Sequence, residues 1–170
     1  MKAVIIATGA NDSEHRATDY EIPELRALAC RPFIEHLIEH LHSAGCNAFD
    51  IILCNRPERF RSLLGNGERW GIAVRYHLVR NAETPYHRIK SFLDDGHPNE
   101  PLLLAHGDRI PQLSRDFLDQ VSRNAMPTVV LQQGERQPPD TDMSLIWSGA
   151  AVVAPARLQG LTTDVTENTL

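Results

Sequence analysis

MKAVIIATGANDSEHR, residues 1–16, decides how the rest of the chain is read. Ala3 to Ala7 are an unbroken apolar run, short enough to be a strand buried on both faces rather than a helix. The run leads into Gly9 and then into Asn11, Asp12, Ser13 and Glu14. A buried strand that ends in a glycine-containing loop predicts an α/β protein, because such sheets bind ligands, phosphates above all, outside the carboxyl ends of their strands. This loop carries two acids and one glycine where a phosphate cradle wants backbone amides and positive charge.

Downstream, helix and strand patterns alternate. FIEHLIEHLHS (33–43) sets Phe33, Ile34, Leu37, Ile38 and Leu41 on one helical stripe, with Gly45 as the expected stop. FDIILC (49–54) reads as a second buried strand, and Pro57 starts a helix that Gly65 closes. IAVRYHLV (72–79) is a third strand, YHRIKSFLDD (86–95) a helix and PLLLAHGD (101–108) a strand ending in Gly-Asp. Ser114 caps a helix over 114–123, and TVVLQQ (128–133) and LIWSGAAVVA (145–154) are further strands. Strands that alternate with helices of about ten residues predict a three-layer, doubly wound, mostly parallel α/β sandwich of Rossmann-like type. Gly9, Asn55 and His106-Gly107-Asp108 fall at strand ends, where a ligand would sit.

Composition narrows the function classes. At 170 residues, one domain is expected. Seventeen Lys and Arg against 22 Asp and Glu give −5 without any basic block, which argues against nucleic-acid binding. No apolar run approaches the roughly 18 residues of a membrane span, and the N-terminus lacks the pattern of a secretory signal. Cys30, Cys46 and Cys54 are odd in number and have no C-x-x-C spacing, as expected for reduced thiols in a cytoplasmic protein.

Five segments together resemble the sugar-phosphate nucleotidyltransferases, which join an NTP to a sugar 1-phosphate and release pyrophosphate. MKAVIIATG resembles their MKAVILAAG, and RPFIEHLIEHLHSAG the helix after their G-R-P. LLGNGERWGIAVRY (63–76), the most specific block, resembles their L-G-D-G-x-x-W-G-[VI]-x-[IV]-x-Y. PLLLAHGD resembles the strand ending N-G-D, and WSGAAVVAPARLQGL the late strand with a sugar-contacting glycine. The blocks keep the family's order and span nearly the whole chain. The resemblance implies a GT-A/Rossmann-like nucleotidyltransferase fold with Ala7, Thr8, Gly9, Gly107 and Asp108 at the nucleotide. It also implies Gly149 at the sugar and Asp108 as ligand to Mg2+. A nucleotide or nucleotide sugar is the implied small-molecule partner, beside a second copy of the chain or another protein.

The same comparison exposes departures. The family's loop A-A-G-x-G-[ST]-R has Asn11, Asp12 and Ser13 at its second half here, and its P-K pair reads Pro23-Glu24. Glu83, Thr84, Pro85, Tyr86 and His87 stand where L-G-T-A-G would help hold the base. No E-K-P counterpart is evident in 134–143, and the family's second metal-binding Asp lies beyond Gly149. The single domain, 1–170, is therefore expected to lack the C-terminal part of the family's domain. From Gly9 to Arg26 five acids face two arginines, a net −3 where triphosphate binding needs positive charge. Nucleotidyl transfer is mainly positioning and charge neutralisation, so weak or absent turnover is expected. Arg16 and Arg26 are the candidate replacements for the missing Arg and Lys. A silent binding, regulatory or assembly module beside sugar-nucleotide or polysaccharide enzymes is the alternative.

Two other motifs carry competing readings. His36-Leu-Ile-Glu39-His40 matches the H-x-x-E-H metallopeptidase pattern but also forms the polar side of an amphipathic helix. A GT-A-type glycosyltransferase would need D-x-D, and Asp108-Arg109-Ile110 lacks the second Asp. Trp70 and Tyr76 are expected to pack the turn and strand around them, and Trp147 to lie in the core.

Overall fold

The structure is a computed structural model that describes residues 1–8, 22–80, 89, 101–124, 128–133 and 145–153. Strand β1 (Lys2–Ala7) is followed by a 3-10 turn at Pro23–Leu25 and a two-stranded hairpin, β2 (Ala27–Leu28) and β3 (Arg31–Pro32). Helix α1 (Phe33–Ser43), β4 (Ala48–Leu53), α2 (Pro57–Leu64), a 3-10 turn (Glu68–Trp70) and β5 (Ala73–Leu78) come next. Then follow β6 (Leu102–His106), α3 (Arg115–Asn124), β7 (Thr128–Gln133) and β8 (Leu145–Val153).

One six-stranded sheet has the order β5-β4-β1-β6-β8-β7. The first four strands in that order are parallel, whereas β8 runs antiparallel to both β6 and β7. Parallel neighbours need crossover connections, and α1 and α2 supply them between β1, β4 and β5. The apolar runs read from sequence thus become central strands whose alternate residues feed two cores. Ala3, Ile5 and Ala7 join Phe49, Ile51, Leu53 and Leu103 on one face, where α1, α2 and α3 pack through Leu37, Leu41, Phe60 and Leu118. Val4, Ile6, Ile52, Leu102 and Leu104 fill the other face, together with Ile89. Ile89 is helical, and the rest of the helix expected over 86–95 lies outside the described residues.

Local signals explain the ends of these elements. Past α1, the Cys46 N–H donates to the Leu41 carbonyl at 3.0 Å and the Gly45 N–H to that of His42 at 2.9 Å, the paired bonds of a Schellman stop. Ser114 caps α3, its Oγ accepting the Phe117 N–H at 3.2 Å. A charged group is buried on the face of that second core. Asp50, in the middle of β4, is fully buried and meets Lys2 Nζ at 2.8 Å, Arg75 Nε at 2.9 Å and His77 Nε2 at 2.8 Å. Burial works to raise its pKa, but hydrogen bonds from His77, Lys2 and Arg75 outweigh that and hold it well below the usual carboxylate range.

Candidate functional site

The chain leaves β1 toward β4 and β5 on one side, and β6 pairs with β1 on the other. Strand order reverses there, and a doubly wound sheet opens a crevice at the carboxyl ends of the strands flanking such a reversal. The register Ile6 to His106 brings Ala7 against Gly107, where an added Cβ would stand 3.1 Å from Ala7 Cβ, and Thr8 and Asp108 follow at the ends of the two strands. Four of the five residues expected at a nucleotide thus lie at the neighbouring ends of β1 and β6. Gly9, the fifth, lies outside the described residues, as do Arg16 and residues 83–87.

Backbone pairing holds this rim. The Gly107 N–H donates to the Ile6 carbonyl at 2.8 Å. Asn55, just past β4, donates from Nδ2 to the Thr8 carbonyl at 3.0 Å, so a side chain from the next strand fixes the end of β1. Thr8 is buried. Gly107 is a glycine because of close approach: a Cβ there would stand 2.8 Å from Glu24 Cγ and 3.1 Å from both Ala7 Cβ and the Ile6 carbonyl oxygen.

Glu24 is the unexpected neighbour. Pro23 opens the 3-10 turn that carries it, and Glu24 is only 3% exposed. The Pro-Lys position of the resemblance is thus brought directly against the β1/β6 crevice, and the residue delivered there is an acid. Arg26, the candidate substitute for the lysine, is exposed.

Asp108 is held by its own neighbour. Arg109 Nε lies 3.1 Å from Oδ1 and Nη2 3.3 Å from Oδ2, the fork geometry of a bidentate pair. The side chains of Asp108 and Arg109 are 17% and 39% exposed. Gly149, the expected sugar contact, lies on β8 at a register break, where Leu131 pairs with Trp147 but Val130 with Ala150. Its φ of +81° is the left-handed conformation that a glycine bulge requires. A Cβ at Gly149 would lie 2.6 Å from Arg109 Cγ and collide with Cδ. Gly149 thus packs on the side chain of Arg109.

These residues do not fit a divalent cation. Both Asp108 oxygens accept from Arg109, and among the described residues no group of three or more His, Cys, Asp or Glu could hold a metal. The H-x-x-E-H motif is structural. His36 Nε2 bonds the Leu28 carbonyl at 2.8 Å, while Glu39 accepts from Arg31 and, at 3.0 Å, from Trp70 Nε1. Bonds from Arg31 and Trp70 lower the Glu39 pKa to about 2. Trp70 and Tyr76 pack as expected: Arg69 stacks 3.7 Å from the indole centroid, and Tyr76 Oη donates to the Gly65 carbonyl at 2.6 Å. Asn55 and Glu24 stand out in the sequence, but their contacts depend on long-range packing that spacing does not reveal.

No family model and no curated protein sequence matches the chain. Among solved structures it is similar to a protein from Bacillus anthracis, assigned as a glucose-1-phosphate thymidylyltransferase and solved in complex with a sucrose. The TM-score is 0.77 at 18% identity, over 99% of this chain and 79% of that one. HddC from Yersinia pseudotuberculosis, complexed with GMP-PN, gives 0.76 at 13% identity, over 99% and 83%. A UDP-glucose pyrophosphorylase complexed with UDP-glucose gives 0.69 at 13%, over 93% and 77%. The fold expected from the sequence blocks, that of the sugar-phosphate nucleotidyltransferases, is the fold of this chain.

Proposed function

We propose that this chain is a single sugar-1-phosphate nucleotidyltransferase-type domain that binds a nucleotide or nucleotide sugar at the β1/β6 crevice, with weak or no turnover. Ala7, Thr8, Gly9, Gly107 and Asp108 would line the nucleotide side and Gly149 the sugar side. The ancestral reaction is attack by a sugar 1-phosphate oxygen on the α-phosphorus of an NTP, with pyrophosphate leaving. Its transition state needs fixed positive charge around the phosphates.

Glu24 is the observation that carries the reading. A buried acid packs on Gly107 where the resemblance has a lysine. Like charges about 4 Å apart cost roughly 1 kcal/mol in water and roughly 4 kcal/mol at an effective dielectric near 20. A carboxylate there opposes a triphosphate instead of gripping it. The Asp108–Arg109 pair favours the second reading, a catalytically silent binding, regulatory or assembly module in sugar-nucleotide or polysaccharide synthesis, because it takes up the carboxylate that Mg2+ would need. Among the described residues no helix is long and apolar enough to cross a membrane, and cytoplasmic residence is part of the proposal.

Melting temperature should be measured with NTPs, NDPs and NDP-sugars, with and without Mg2+, alongside a pyrophosphate-release assay. A ligand at 100 times its Kd adds about 2.7 kcal/mol, which is readily seen. The expected result is stabilisation by a nucleotide or nucleotide sugar with little or no pyrophosphate. Robust Mg2+-dependent release would overturn the weak-turnover reading, and no shift with any nucleotide would overturn the ligand class.

A further inference from the structure

Arg109 is seated by two separate stretches of chain. Along an extended strand adjacent side chains point to opposite faces, so neighbours pair only where the backbone turns. Gly107 and Asp108 form such a turn at the end of β6. The guanidinium of Arg109 folds back onto both oxygens of Asp108, at 3.1 and 3.3 Å. Its aliphatic stem fills the space left by the missing Cβ of Gly149, on the β8 bulge. Any larger residue at 149 would push the stem away, so the glycine and the ion pair belong to one arrangement.

We propose that Arg109 is the resident cation of this crevice. It compensates Asp108 in place of a divalent metal ion and keeps such ions off the carboxylate, with Gly149 as its seat. Guanidinium stays protonated at any physiological pH and matches a carboxylate fork to fork, so the compensation is permanent and directional. Mg2+ is usually held by one or two carboxylates plus substrate phosphates and keeps several waters. Here Asp108 would have to release Arg109 first, and an ion that displaced it would sit beside the guanidinium's positive charge. Gly149 is thereby assigned to positioning Arg109.

The test uses the 170-residue chain, labelled with 15N, and Mn2+ alone as the probe. The site is that of the proposed function, but no nucleotide is present, so this result and the nucleotide-binding result stand or fall separately. In the wild-type protein, Mn2+ should leave the amide resonances of residues 107–109 and 149 unbroadened at concentrations that broaden them in Arg109→Met. The gain in apparent affinity should be at least tenfold, be competed by Mg2+ and disappear in Arg109→Met combined with Asp108→Asn. Arg109→Gln, which also removes the charge, carries the same expectation should the methionine variant fold poorly by circular dichroism. Equal broadening in wild type and variant would overturn the proposal. So would a folded variant that gains no Mn2+ site, because Arg109 would then not be what excludes the ion.

Discussion

Replacing Asp50 by Asn is predicted to destabilise the fold by about 3 kcal/mol at neutral pH. The carboxylate is fully buried and accepts from Lys2, Arg75 and His77 at 2.8 to 2.9 Å. Removing one partner of a buried ion pair costs about 3–5 kcal/mol, because the surviving charge is left uncompensated in a poorly solvated place. The partners differ in how far they can recover. The Arg75 side chain is 57% exposed and returns to water, so its share falls to the roughly 0–1 kcal/mol of a surface pair. Lys2 is 11% exposed and stays largely out of water, which sets the estimate at the lower end of the buried-pair range. Asn keeps the shape of Asp and opens no cavity. For a chain of this length each kcal/mol moves Tm by about 2–4 °C, so Tm should drop by roughly 6–12 °C. Urea titration followed by circular dichroism is the companion assay.

The pH dependence follows from the direction of the shift. A carboxyl whose folded pKa is depressed contributes fully above its unfolded value, about 3.9, and loses that contribution as pH falls through the folded value. The difference between wild type and Asp50→Asn should thus hold from pH 7 to about pH 5 and shrink only in stronger acid. A difference below about 1 kcal/mol at pH 7, or one that already shrinks between pH 7 and 5, would refute a buried, charge-compensated Asp50.

Two further outcomes are expected. Gly107→Ala forces a Cβ to within 2.8 Å of Glu24 Cγ, and should cost about 1–3 kcal/mol in urea unfolding and shift the amide resonance of Thr8; an unchanged stability would show slack at the β1/β6 rim. Burial pushes the Cys46 thiol up to about 11, so a disulfide reagent should modify exposed Cys30 at once and Cys46 only as the chain unfolds, with fast native-state labelling of Cys46 contradicting the packing.

Much of the architecture was legible in order along the chain. Each described main-sheet strand and helix falls within a residue or two of its expected bounds, because unbroken apolar runs, a 3.6-residue stripe in α1 and stops at Pro57, Gly45 and Gly65 are local signals. The β2–β3 hairpin was not legible. Its strands have two residues each, and its turn places Ala29 and Cys30 at positive φ without the Gly or Asn that would announce it.

From the sequence alone came the class of fold, the strand-end positions where a ligand would sit and the substitution of an acid at the Pro-Lys position. Local patterns are enough for these, since a strand buried on both faces or a capped helix is specified by residues close together in the chain. Tertiary structure alone decided who meets whom: Glu24 against Gly107, Asn55 on the Thr8 carbonyl, Lys2 and Arg75 around Asp50, and Arg109 in the space of Gly149. Those contacts depend on parallel register between strands tens of residues apart and on a bulge in β8. A one-residue slip of β1, β4 or β5 would turn Lys2, Asp50 or Arg75 to the opposite face.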